Sequence, residues 1–220
     1  MGQTASGYLA VPKAGKGPGV LVIQEWWGIV PHIQSVCDRL AAEGFLAFAP
    51  DLYHGKTTTS PDEAGRLMMA LRIDQAEQDL QGAVRNLQAH AAVSGKTVGV
   101  VGFCMGGQLA LFAASKNPTI RACVDFYGIH PNVHPDLPGL EAAVLGFFGE
   151  RDDFVTPAAA RALEQQLKKH GKAVEFTIFP GVGHAFFNDS RPDAYNREAA
   201  GTAWRRMLTF FRQQIGGERS

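Results

Sequence analysis

The sequence predicts an α/β fold with a mostly parallel central sheet and helices on both faces. Two observations carry this. Short runs of strand length alternate with longer helical patterns along the chain. Those short runs are apolar throughout rather than at every second residue, as strands covered on both faces require. No linker, low-complexity tract or internal repeat breaks the alternation, so residues 1–220 are read as one domain.

The elements follow in order. SGYLAVP at the start reads as an edge strand, and Val20 to Ile23 in PGVLVIQE as a buried one. Pro31 opens a helix, PHIQSVCDRLAAEG, and Gly44 closes it. FLAFAP is a second buried strand, and DLYHGKTTTS after it is a loop of turn residues. Ser60-Pro61 starts a helix through LMMAL, with Glu63 at the capping-box position. A further helix spans about Gln75 to Ala91, followed by the strand TVGVVG and the helix GGQLALFAASK. The remaining order is strand IRACVDFYG, strand AAVLGFFG, helix PAAARALEQQLKKHG, strand AVEFTIFP and a helix from about Ala194 to Ile215. In such sheets the functional crevice lies beyond the carboxyl ends of the strands, which directs attention to the loops there.

Composition narrows the partners. Lys plus Arg equals Asp plus Glu at 21 each, which gives no electrostatic reason to expect nucleic acid or an anionic membrane. No run of about 20 apolar residues exists, so a membrane-spanning helix is not expected. MGQTASGYLAVPKAGKG lacks the basic-then-apolar pattern of a secretory signal, and its lipidation-like match at Gly2 and Ser6 is of a kind met by chance. The expected location is cytoplasmic, as a monomer or small homo-oligomer. Cys37, Cys104 and Cys123 form neither a disulfide framework nor a metal-ligand spacing. No metal or cofactor is expected.

The most informative segment is TVGVVG-FCMGG-QLALFAAS, where Cys104 occupies a turn between a strand and a helix with Gly106 and Gly107 behind it. This is the pattern of a nucleophile elbow, G-x-S-x-G, with cysteine in place of serine. A sharp reversal crowds neighbouring backbone, which residues without Cβ tolerate. The helix start aims unpaired N–H groups at the sulfur, favouring a thiolate and a developing oxyanion. Glycine-rich strand–helix turns also bind phosphates, but neither G-x-G-x-x-G nor a G-K-[ST] ending is present. Cys37 and Cys123 read as buried small hydrophobes.

A cysteine nucleophile needs a base, and the base an acceptor that fixes its tautomer. After the strand AAVLGFFG comes GERDDFVTP, so Asp152 or Asp153 emerges at the functional edge, Asp153 being the better solvated carboxylate. After AVEFTIFP comes GVGHAFF, which brings His184 to the same edge. Nucleophile, acid and histidine thus follow strands in the order expected of the α/β-hydrolase fold. His130 and His134 sit among prolines that forbid a helical pairing, and they are placed in a loop near the crevice. His32, His54, His90 and His170 read as surface or helix-end residues. Glu25 ends a buried strand, next to Trp26, Trp27 and Gly28, where a carboxylate is either hydrogen-bonded or functional. The oxyanion hole of this fold combines the N–H after the nucleophile with one from an early strand–helix loop, which nominates Met105 and Trp26.

YLAVP, VIQEWWG, APDLYHG, VGFCMGG, DFYGIHP, GERDDFVTP and GVGHAFF together resemble the dienelactone hydrolase (carboxymethylenebutenolidase) family from about residue 8 to 212. The resemblance implies Cys104 as nucleophile, Asp152 rather than Asp153 as acid, and His184 as base. It implies that Glu25 holds the resting thiol and helps to activate it. It places Trp27, Tyr127 and Phe154 as aromatic pocket walls. Two arginines that bind a substrate carboxylate in the family are missing. One position, four residues past His184, is Asn188, which therefore falls in the expected pocket; the other aligns with Pro61, with Arg66 the nearest arginine. The expected function is cysteine-dependent hydrolysis of small esters or lactones through a thioester. The alternatives are a homologue that binds small molecules without turnover, or a cysteine redox sensor.

Overall fold

A computed structural model describes residues 6–216. The residues read above for a lipidation signal begin outside that range. The strands are β1 (Gly7–Ala10), β2 (Gly17–Ile23), β3 (Leu46–Pro50), β4 (Val93–Phe103), β5 (Ile120–Phe126), β6 (Ala143–Gly149) and β7 (Val174–Phe179). The helices are α1 (Pro31–Ala42), α2 (Pro61–Met69), α3 (Ile73–Ala89), α4 (Met105–Lys116), α5 (Pro157–Lys169) and α6 (Arg197–Ile215). One sheet runs β1-β3-β2-β4-β5-β6-β7, with β1 antiparallel to β3 and all other pairs parallel. The predicted α/β sheet and its order of elements are as read from the sequence.

The packing follows from composition. Val20, Leu21, Val22 and Ile23 on β2 have no exposed surface, because helices cover both faces of the central strands. Helix α4 is apolar on nearly every side and is buried from Met105 to Ser115 except at Gln108, so the segment behind Cys104 is held in the interior. Among the described residues no helix is long and apolar enough to cross a membrane.

Local differences have local causes. Helix α6 starts at Arg197 rather than near Ala194 because Asn196 caps it, accepting from Ala199 N at 3.0 Å. The capping box of α2 is only half formed. Ser60 Oγ accepts from Glu63 N at 3.5 Å, while the Glu63 carboxylate takes the Thr58 hydroxyl at 2.8 Å. His32 is at the start of α1, a helix end as expected, but it is buried there, its Nδ1 3.2 Å from Asp189 Oδ1.

The sheet order reverses beside β2: the chain goes first to β3 on one side, then to β4 on the other. A crevice opens at such a switch point, and the loops after β2 and β4 flank it. Glu25 and Trp26 are on the first loop, and Cys104 is on the second.

Candidate active site

Cys104 stands between β4 and α4 with φ 53° and ψ −122°. That conformation costs a non-glycine residue about 1–3 kcal/mol, so the surroundings must enforce it. The Cys104 N–H donates to Phe126 O at 3.0 Å, and the Cys104 carbonyl accepts from Gly107 N at 2.9 Å and Ile129 N at 3.1 Å. The two glycines that matter most are Gly102 and Gly106. A Cβ on Gly102 would collide with the Gly106 carbonyl, and one on Gly106 with the carbonyls of Ile23 and Gln24. The second approach presses the end of β2 against the start of α4. It brings the Trp26 turn beside Met105, the first residue of the helix, whose N–H has no carbonyl one turn back.

Asp152 follows β6 and is buried. Its Oδ1 accepts from Phe154 N at 2.8 Å and Val155 N at 2.9 Å, and its Oδ2 lies 2.8 Å from His184 Nδ1. Asp153 is exposed and takes no part. The His184 imidazole and Cys104 line the same cavity, near enough for the thiol to raise the pKa of the ring. Burial opposes its positive charge, but the bond to Asp152 and the neighbouring Cys104 outweigh burial and push His184 up to about 10. The line Asp152–His184–Cys104 can take the thiol proton onto the imidazole and hold the resulting cation.

Glu25 is buried beside this line, its Oε2 accepting from Asn188 Nδ2 at 2.7 Å. Its Oε1 has no hydrogen-bond partner among the described residues. The contact from Glu25 to the resting thiol, implied by the family resemblance, is therefore absent among the described residues. Tyr127 is fully buried next to Glu25, without a hydrogen bond of good geometry. Burial first, then the neighbouring Glu25 and Cys104, push its phenol well above its ordinary value.

A cavity of about 660 Å³ opens over Cys104 and His184. Its lining includes Glu25, Trp26, Trp27 and Phe154, and it also includes Pro61, the position aligned with a missing arginine. Phe154 is 62% exposed while its ring lies 5.0 Å from the His184 ring, so it shelters the base at the mouth. Tyr127 and Asn188, expected as pocket residues, stand behind the wall: Tyr127 supports the His184 ring at 4.9 Å and Asn188 holds Glu25. Arg66 is exposed on α2 and outside the lining. His130 is also outside it, tied instead to Met68 O at 3.1 Å, with burial lowering its pKa; Ile129 and Pro131 take the lining positions.

Sequence reasoning missed one wall. Arg191, Asp193, Tyr195 and Asn196 line the cavity from the loop before α6. Arg191 Nη2 lies 2.9 Å from Asp193 Oδ2, and its guanidinium is 5.7 Å from the Trp27 ring. The available signal was RPDAYN, a charged and aromatic loop a few residues past His184.

A parallel sheet with a strained cysteine elbow at its switch point, and a histidine and a carboxylate on the following loops, defines an α/β-hydrolase. The sequence model of the dienelactone hydrolase family matches residues 5–215, and the chain belongs to that family, a hydrolase acting on carboxylic ester bonds. It is 38% identical over 221 residues to "Protein usf" of Aquifex pyrophilus, covering 97% of this chain and 95% of the relative. It is 36% identical to "Putative carboxymethylenebutenolidase" of Aquifex aeolicus, with the same coverage. The crystal structure of "Putative Dienelactone Hydrolase" from Klebsiella pneumoniae superposes with a TM-score of 0.87 at 31% identity, covering 97% of this chain and 95% of that one.

Proposed function

We propose that the chain hydrolyses small, uncharged esters or lactones through a Cys104–His184–Asp152 triad and a thioester intermediate. The observation that carries this reading is His184, bonded through Nδ1 to the buried Asp152 and sharing the cavity lining with Cys104. His184 takes the thiol proton and the Cys104 sulfur attacks the carbonyl carbon. The N–H groups of Met105 and Trp26 hold the tetrahedral oxyanion, each worth roughly 10²–10³ in rate. The imidazolium protonates the leaving alkoxide, and the neutral ring then takes a proton from water, which displaces the acid from the thioester. Glu25 lines the cavity beside the sulfur and tunes this step.

The pocket supports the neutral preference. Among the described residues Arg191 is the one arginine in the lining, and Asp193 already occupies it. Cys37 and Cys123 are fully buried, which leaves a redox-sensor reading without an accessible partner thiol. A panel of aryl esters, lactones and thioesters, each with a carboxylated analogue, tests the assignment. Turnover of neutral members with an acyl adduct on Cys104 is expected. Binding without turnover across the panel would contradict it.

A further inference from the structure

A second buried carboxyl lies under the elbow and has no part in the triad. Asp125, on β5, is fully buried, and neither oxygen has a hydrogen bond of good geometry. Its register partners on both sides are glycines, Gly102 on β4 and Gly146 on β6. From above, Gly107 in the first turn of α4 and Gly128 after β5 come so close that a Cβ on either would collide with Asp125 Oδ1. The carboxyl is therefore enclosed by four glycines and pressed against the amino end of the helix that Cys104 caps. A buried polar group in this state costs stability, which asks for a reason beyond packing.

We infer that Asp125 is a positioning residue that sets the charge at the amino end of α4, so that hydrolysis slows when its carboxyl ionises. The neutral acid leaves the helix N–H groups to the sulfur and the oxyanion. The carboxylate competes with both, because the amino end of a helix carries only about half a positive charge and like charges in one site repel. The other ionisable groups on its strand are Cys123 and Arg121, the latter exposed and paired with Glu141 at 2.7 Å, and Cys104 stands at the head of α4; β4, β6 and the first turn of α4 bring no charged side chain to it. Burial pushes Asp125 up to about 7, against a weak contact with the Gly128 N–H, while His184 is held up to about 10. The two ionisations are therefore separable in a pH profile.

The inference rests on Cys104 being the nucleophile, and the test separates the two. Wild type, Asp125→Asn and Cys104→Ala are compared from about pH 5.5 to about pH 9 in kcat/KM for a neutral aryl ester and, where the thiol is present, in iodoacetamide alkylation of Cys104. The ratio of Asp125→Asn to wild type should rise by about threefold or more across that range in both quantities. A flat ratio with an inactive Cys104→Ala overturns the role of Asp125 alone. An active Cys104→Ala overturns the nucleophile itself. Infrared titration of aspartate-labelled wild type covers the case in which Asp125→Asn fails to fold. A protonated aspartate band at about pH 5.5 that fades through neutrality, in step with falling activity, supports the inference; no such band overturns it.

Discussion

Asn188 donates its Nδ2 to Glu25 Oε2 at 2.7 Å, and both side chains are buried at the edge of the cavity. A neutral amide thus restrains the carboxylate at the position where the family resemblance leads one to expect an arginine. Glu25→Gln can still accept from Asn188 through its amide oxygen, so its stability should stay within about 1 kcal/mol of wild type. Acylation should slow by about tenfold or more, ~1.4 kcal/mol in the barrier, with an altered pH dependence. Single-turnover acylation across pH checks this, and superimposable profiles would reduce Glu25 to a structural residue. Asn188→Leu removes the donor and should cost about 1–3 kcal/mol in denaturant unfolding.

The Asp152–His184 pair makes stability depend on pH. The folded His184 is held up to about 10, above its ordinary value, so the contribution of the pair is complete below about pH 6.5 and is lost as pH rises through about 10. The stability advantage of wild type over His184→Ala should therefore shrink across that window in urea titrations. Asp152→Asn should lower kcat by roughly 10²–10⁴, because the imidazole loses the group that orients it and stabilises its cation. A loss below tenfold would contradict the assigned acid.

Asp125 has the opposite sense to an ordinary paired carboxylate. Its folded value, raised by burial to about 7, lies above that of the unfolded chain, so stability falls as pH rises from about 4 to about 7. Asp125→Asn should match or trail wild type near pH 4 and gain on it steadily toward pH 7 in thermal melts. A constant difference would mean that Asp125 is ionised throughout.

Arg191 and Asp193 set the charge preference of the pocket. Wild type should favour neutral esters over carboxylated analogues, because Asp193 both occupies the guanidinium and repels a second carboxylate. Asp193→Asn should shift kcat/KM toward the carboxylated analogue by about fivefold or more, and Arg191→Leu should not. Unchanged ratios in both variants would remove this pair from substrate recognition.

Gly106→Ala tests the elbow itself. The added methyl would collide with backbone carbonyls at the end of β2, which cannot move as a flexible side chain would. The expected loss is on the order of 3 kcal/mol in stability, with activity falling more steeply because the Trp26 turn and Met105 separate. Wild-type activity in this variant would show that the β2 loop is not part of the site.

Much of this arrangement was legible in the sequence, for physical reasons. Val20–Ile23 and TVGVVG read as buried strands because they are apolar on both faces. Cys104 and His184 could be placed because glycines mark sharp turns at strand ends. Asp152 could not be separated from Asp153 by strand position alone; burial and two backbone donors distinguish it in the structure. Tyr127 and Asn188 were placed in the pocket wall because alignment gives position without depth. Arg191 and Asp193 escaped notice because their loop has no periodicity to orient it. Asp125 looked like one more residue in an apolar strand, and its isolation depends on four glycines that only the fold assembles.

The most direct test of the account is rapid-quench intact-mass analysis of wild type and Cys104→Ala during turnover of a neutral aryl ester. The thiol-to-methyl change at this loop removes little packing, so the variant should fold. Wild type should gain one acyl group, mapped by peptide analysis to Cys104, while Cys104→Ala should show neither adduct nor turnover. An acyl group on another residue, or sustained hydrolysis by Cys104→Ala, would contradict the central claim.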